Sequence, residues 1–364
     1  MINNLIYMAL LNASLSMGGR FSWLTSAIVS RFAKNSEHGC LGRFQNSYLA
    51  FIGDPTFVPD TKTLLILSDL SVSALVRGDL PARYKIESII QDLPGIASDE
   101  ALRLRSMTRV VFTDFVKGRF DGSFAQLNRI EKALAEVPES GFTFGSENYR
   151  LFTQAFGALY LKWFDRVENA ASRARGRSEK RYGMRSLETI GYKQLLVEVY
   201  LGRGEFEKAR ELISEILIVQ KHYLKPGSLD LAATYLAAAA LDAETGNFDQ
   251  AETSLALVEK AYGRATVDSA FIDLAYLYVG RARLAYCRGD RKACFEFASR
   301  ALLEFASHFP EDHPAQADAL AYAALCSEEK RAELKVKLER IVGKYRMNSW
   351  NLLEQLRSEA DRSA

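Results

Sequence analysis

Residues 200–216 read Tyr-Leu-Gly-Arg-Gly-Glu-Phe-Glu-Lys-Ala-Arg-Glu-Leu-Ile-Ser-Glu-Ile. Gly202 and Gly204 interrupt one apolar run, and Phe206, Ala209, Ile213 and Ile216 open another at three-to-four spacing, so the stretch reads as helix, tight turn, helix. The signature returns 42 residues later at Thr245-Gly246-Asn247-Phe248-Asp249-Gln250-Ala251, where Leu255 and Val258 stand in the places of Ile213 and Ile216. It returns again 43 residues further on at Arg288-Gly289-Asp290. One hairpin cannot bury its apolar face alone, so a recurrence of this length implies helical hairpins stacked in an array.

Working towards the N-terminus, Lys117-Gly118-Arg119-Phe120 marks another turn, with Leu127 and Ile130 on the inner face of the helix that follows. Arg77-Gly78-Asp79-Leu80-Pro81 marks one more, and Pro81 suits a first helical turn, where its missing N–H would be unbonded anyway. Between these and Gly204 the marker glycine is absent, yet 44 residues after Gly118 stands Lys162-Trp163-Phe164, with Val167 and Ala171 at the spacing of Ala209 and Ile213. A first hairpin is expected around Gly18-Gly19, with helices at about 4–17 and 22–33. A last one is expected over 314–326 and 329–342. Residues 35–60, with three glycines, two prolines and interleaved Phe44, Tyr48, Phe51 and Phe57, are expected to form an irregular insertion or partial helix capping the array's end. The resulting division is a hairpin plus aromatic-rich insertion over 1–60, repeats over 61–342, and a capping helix or tail over 343–364 carrying Trp350, Leu352, Leu353 and Leu356.

Composition fits this reading. Of 364 residues 48% are hydrophobic and 25% charged, ordinary for a folded chain with a substantial core. The net charge of +2 does not mark a general polyanion binder, although residues 1–185 hold 24 Lys and Arg against 18 Asp and Glu. Cys40, Cys287, Cys294 and Cys326 show no paired C-x-x-C spacing, which suits a reducing compartment. The apolar run at 5–11 has no Lys or Arg before Arg20, so it lacks the basic region of a secretory signal, and no run reaches membrane-spanning length. A cytoplasmic chain is expected.

The set Leu196, Tyr200, Gly204, Phe206, Ala209, Ile213 and Ile216 resembles a tetratricopeptide repeat: glycine permits the turn, the aromatic fills the space between helices, and alanine lets them approach. The usual repeat is about 34 residues, and the longer spacing here resembles the variants of kinesin light chains and of the sensor region of MalT-type bacterial regulators. His313-Pro314 after Glu311-Asp312 resembles the inter-repeat loop of the light-chain type. The resemblance implies an all-α, right-handed superhelical solenoid of about eight antiparallel hairpins. It also implies a non-enzymatic scaffold, a regulatory sensor or adaptor, that holds a protein or peptide segment in a concave groove lined by the first helix of each hairpin. Carried over, the groove positions are Arg109, Phe112 and Phe115, then Tyr149, Phe152 and Phe156, then Gln194 and Glu198, then Tyr276, Arg283 and Tyr286. An apolar groove of this kind also makes a second copy of the chain a natural partner. The carboxylate clamp of some such proteins is not expected, because its asparagine position is filled by Asp69, Arg109, Thr153, Leu195, Ala237 and Gly280.

No catalytic constellation assembles, since G-x-S-x-G, H-E-x-x-H, G-x-G-x-x-G and the phosphate-binding G-x-x-x-x-G-K-[ST] are all absent. His308 and His313 flank Phe-Pro-Glu-Asp in a loop, too few donors for a metal, so neither metal nor cofactor is expected. Cys294 falls at the small packing position of Ala209 and Ala251 and reads as core. Two alternatives stay open. Residues 173–185 carry Arg173, Arg175, Arg177, Lys180, Arg181 and Arg185 against Glu179, a run that could hold the phosphates of a nucleic acid or an acidic partner, or else form a solvated loop between hairpins. The groove aromatics could instead close around a small ligand or a peptide signal.

Overall fold

The computed structural model describes residues 29, 38–52, 63, 66–67, 70–71, 74, 80–92, 100–265 and 273–363. The hairpin expected at Gly18-Gly19 and the turn at Gly78 lie outside them. The described helices are α1 (His38–Ile52), α2 (Leu80–Asp92), α3 (Glu100–Val116), α4 (Asp121–Ala135), α5 (Gly141–Tyr160), α6 (Phe164–Tyr182), α7 (Leu187–Arg203) and α8 (Phe206–Tyr223). They continue as α9 (Leu229–Glu244), α10 (Phe248–Ala265), α11 (Asp273–Cys287), α12 (Arg291–His308), α13 (Ala317–Cys326), α14 (Arg331–Tyr345) and α15 (Asn351–Ser363). Helix α1 occupies much of the segment expected to be an irregular insertion or a partial helix, with Phe44 and Tyr48 buried against Ile66, Leu67 and Leu70.

Consecutive helices pair as hairpins, from α3 with α4 to α13 with α14. Several hairpins share the same local chemistry. Ser140, Ser186 and Ser228, in extended conformation, accept from the backbone N–H of Thr143, Thr189 and Leu231 and so cap α5, α7 and α9, each cap contributing about 1 kcal/mol. At the turns Gly118, Gly204, Gly246 and Gly289 take φ between 74° and 80°, which glycine adopts without steric cost. Where the marker glycine is missing, Lys162 itself takes the left-handed conformation, at φ 55°. The backbone path of the turn is therefore kept and the side chain is gained.

The small packing positions are filled as expected, with Ala209, Ala251 and Cys294 fully buried. Gly202 differs from its expected role as a helix interrupter. It lies inside α7, and a Cβ there would fall 2.2 Å from the ring of Phe164, so it makes room for the preceding hairpin's aromatic. Gly157 in α5 does the same for Phe115, at 2.3 Å.

The core is not distributed as an open stack would have it. One apolar cluster holds residues of α3 to α7 together with residues of α11 to α15. The helices between them, α8 to α10, are packed chiefly in two separate clusters. The chain curls until its late hairpins meet its early ones. His313, in the loop before a 3-10 turn at Pro314–Gln316, bonds through Nε2 to the Phe115 carbonyl at 2.8 Å. Trp163 Nε1–H donates to the Arg346 carbonyl at 2.9 Å, and the Asn348 N–H donates to the Leu161 carbonyl at 3.1 Å. Phe120 meets Tyr345 edge-on at 5.3 Å. No helix among the described residues is long and apolar enough to cross a membrane.

Candidate functional site

Curling brings side chains of the first helices together on the inner side of the coil. Tyr160 at the end of α5 and Tyr276 in α11 share a hydroxyl hydrogen bond, and burial raises both phenols. Asp273 opens α11; burial, reinforced by the nearby negative charge of Asp230, pushes its carboxyl up to about 7. Arg283, one face further along α11, donates from Nε to the Tyr322 hydroxyl at 2.8 Å and lies 3.6 Å from Glu244. Burial opposes its charge, but Tyr322, Glu244 and Asp318 outweigh that and hold the guanidinium firmly protonated.

Lys162, from the turn between α5 and α6, reaches Asp318 of α13 at 2.8 Å. Burial alone would raise the Asp318 carboxyl; the ammonium of Lys162, helped by Arg283, overcomes it and holds Asp318 below the usual carboxylate range. Glu198 of α7 is exposed to solvent, yet protein surrounds it on the curved inner face. The resulting loss of hydration raises its carboxyl, against the pull of Arg283 and Lys162. Two carboxylates in one neighbourhood are thus shifted in opposite directions by their surroundings.

The positions carried over as groove-lining divide into two groups. Arg109, Phe112 and Phe115 are buried between helices. Phe115 packs on Phe120 and Phe124 at 5.2 and 4.9 Å, and Phe112 stacks on Phe156 at 4.8 Å under the guanidinium of Arg83. Arg109 lies 5.6 Å from the Tyr149 ring. These three are packing residues because α2 and the neighbouring α5 cover their face of α3. Tyr149, Phe152 and Phe156 on α5 are half-buried. Gln194 bonds to Thr234 Oγ1 at 2.8 Å, linking α7 to α9. Tyr276 and Tyr286 are half-buried against Phe305 and Tyr322. Glu198, Tyr276 and Arg283 fall within the converging set. Tyr160, Lys162, Asp273, Asp318 and Tyr322 join them without having been expected there; the lysine in place of a turn glycine was the available signal.

The basic stretch is a helix to Tyr182 and not the loop that its composition suggested. Arg173 pairs with Glu131 at 2.9 Å and Glu147 at 3.5 Å, and Arg175 with Glu179 at 3.6 Å. Arg177 donates to Asn148 Oδ1 at 3.0 Å, and the Arg181 guanidinium covers the Phe144 ring at 4.5 Å. Lys180 and Arg185 are exposed near the helix end. Arg173, Arg177 and Arg181 thus hold α6 to α4 and α5, while Arg175 pairs within α6 itself. Among the described residues no group of three or more His, Cys, Asp or Glu is placed to hold a metal ion.

No protein-family model matches the sequence, and no curated protein matches it. Solved structures do resemble the fold. The crystal structure of a Rap protein complexed with Competence and Sporulation Factor matches 89% of this chain and 98% of its own, at 14% identity and a TM-score of 0.56. BtubC (BKLC) from P. vanneervenii matches 68% of this chain and 93% of its own, at 16% identity and a TM-score of 0.41. The fold is a tetratricopeptide-like array of helical hairpins.

Proposed function

We propose that the chain is a regulatory sensor or adaptor that holds a peptide, or an extended segment of another protein, along the inner side of its coil, with no chemistry of its own. The observation that carries this is the convergence of Tyr160, Glu198, Asp273, Tyr276, Arg283 and Asp318 from four separate helices. Aromatic edges beside fixed charges of both signs suit a peptide, whose backbone and side chains offer apolar surface and hydrogen-bonding groups at once. Glu198 supports the reading further: it makes no ion pair among the described residues and keeps contact with solvent. That a protein of similar fold is complexed with a factor is consistent with this shape accommodating one.

Selection of random peptides on the purified chain tests the proposal. Enriched peptides are expected to bind the parent and to lose affinity for Glu198→Gln and Tyr276→Ala, each shown to be folded by circular dichroism. Peptides that bind parent and variants equally, or no enrichment at all, would overturn it.

A further inference from the structure

Among the described residues two that are not glycine take positive φ, Lys162 at 55° and Arg346 at 51°. They stand on opposite sides of the place where the coil meets itself. Lys162 spans the junction with its side chain, to Asp318, and Arg346 spans it with its backbone, accepting from Trp163 Nε1–H. A left-handed conformation is strained for a side-chain-bearing residue, and such strain persists where the surroundings over-determine it. In this fold the equivalent turns use glycine, which would remove the cost at Lys162 but also the ammonium.

The junction is built from turns and helix ends, not from the lateral packing of long helices. Its polar contacts include Lys162 to Asp318, Trp163 to Arg346, Asn348 to Leu161, His313 to Phe115 and Tyr160 to Tyr276, beside aromatic contacts such as Phe120 on Tyr345. The Lys162–Asp318 pair also belongs to the inner face, within electrostatic reach of Glu198. One ion pair is therefore both part of the interior wall and part of the clasp.

We propose that this junction is a reversible clasp, in which separation of Lys162 from Asp318 opens the coil sideways and their pairing closes it. The clasp is a property of the unliganded chain. Its use as a side entrance for an occupant of the inner face rests on the binding function proposed above, and the test is made without any occupant so that the two can fail separately.

The Asn348 N–H, which donates across the junction, reports on opening. In hydrogen–deuterium exchange of the full chain, Lys162→Ala and Asp318→Asn are expected to exchange this amide roughly five to ten times faster than the parent, with a larger radius of gyration by small-angle scattering. The exchanged pair Lys162→Asp with Asp318→Lys is expected to regain part of the protection. Trp163→Phe, which removes the bond to Arg346 and leaves the ion pair, is expected to raise exchange at the same amide and guards against misfolding of the charge variants. Unchanged Asn348 exchange and radius in both Lys162→Ala and Trp163→Phe would overturn the proposal. So would acceleration spread uniformly over α8 to α10 as well, since that reports global loosening.

Discussion

His313 and Phe115 are 198 residues apart in sequence, yet His313 Nε2 lies 2.8 Å from the Phe115 carbonyl oxygen. The other ring nitrogen, Nδ1, accepts the Ala315 N–H at 3.1 Å, which places the proton on Nε2 and makes it the donor to Phe115. The ring lies flat on Phe309 at 4.1 Å. What the sequence offered as a polar loop histidine is a neutral, fully buried strut between the two ends of the array.

Burial pushes the His313 imidazole down to about 4, against the bond to Phe115, which favours the protonated form. The unfolded chain takes up this proton below its ordinary value of about 6.5. The residue's contribution to stability is therefore full above that value and is lost as pH falls towards 4, a change of about 3 kcal/mol. Urea unfolding at about pH 7 and about pH 4.5 is expected to show a smaller loss for His313→Gln than for the parent. Equal losses would mean that His313 titrates normally in the fold.

Glycines 157 and 202 hold space, and the two have the same consequence. A methyl group at either would press into the Phe115 or the Phe164 ring. Gly157→Ala and Gly202→Ala are each expected to cost about 1–3 kcal/mol in denaturant unfolding, although alanine is the better helix former by about 1 kcal/mol. A stabilised variant at either position would contradict the packing described.

Arg150 is fully buried and bonds Glu147 at 2.7 and 2.8 Å, Glu131 at 3.0 Å and Gln154 at 2.8 Å. Arg173 approaches the same two glutamates from α6. Removing the central guanidinium strands carboxylate charge in a partly desolvated place, so Arg150→Ala is expected to destabilise the chain by about 3–5 kcal/mol. Arg150→Met, with similar volume, is expected to recover little of this, because the charge imbalance and not the cavity sets the cost. Unfolding curves of both variants decide the point.

Arg346 ends α14 in the left-handed region and is exposed, using its backbone and not its side chain to cross the junction. Arg346→Gly is therefore expected to be neutral or stabilising by up to about 1 kcal/mol, relief of strain outweighing the added freedom of the unfolded chain. A loss of stability, read as a lower melting temperature, would give the arginine side chain a role of its own.

The hairpins were legible in the sequence because each is set by local chemistry: a turn residue, a small residue to bring helices together, and apolar positions at helical spacing. The turn at Lys162 was found by spacing alone, and the residue's backbone geometry follows the glycine it replaces. What spacing could not supply was the junction. Asp318 lies 156 residues beyond Lys162, and nothing local to either residue announces that they meet. The same limit explains the inner face. Repeat register assigns Phe112 and Phe115 to a groove, but whether a groove position is open depends on what the helices beside it cover, and here α2 and α5 fill that part. Glu198 by contrast stays exposed and Arg283 partly so.

An apolar cluster that joins the early hairpins to the late ones changes how the chain must fold. In an open stack each hairpin depends on its neighbours only, so structure can start anywhere and spread. A stack whose two ends hold one another up requires contacts of long sequence separation before the last of its core is buried, which slows the final step and makes it all-or-none. The hairpin of α9 and α10 can then form early, while those of α3 to α6 and the helices α11 to α15 reach full stability only together. A nascent chain interrupted before His313 would lack the buried ring that bonds the Phe115 carbonyl of its own third helix, although the two residues are 198 positions apart.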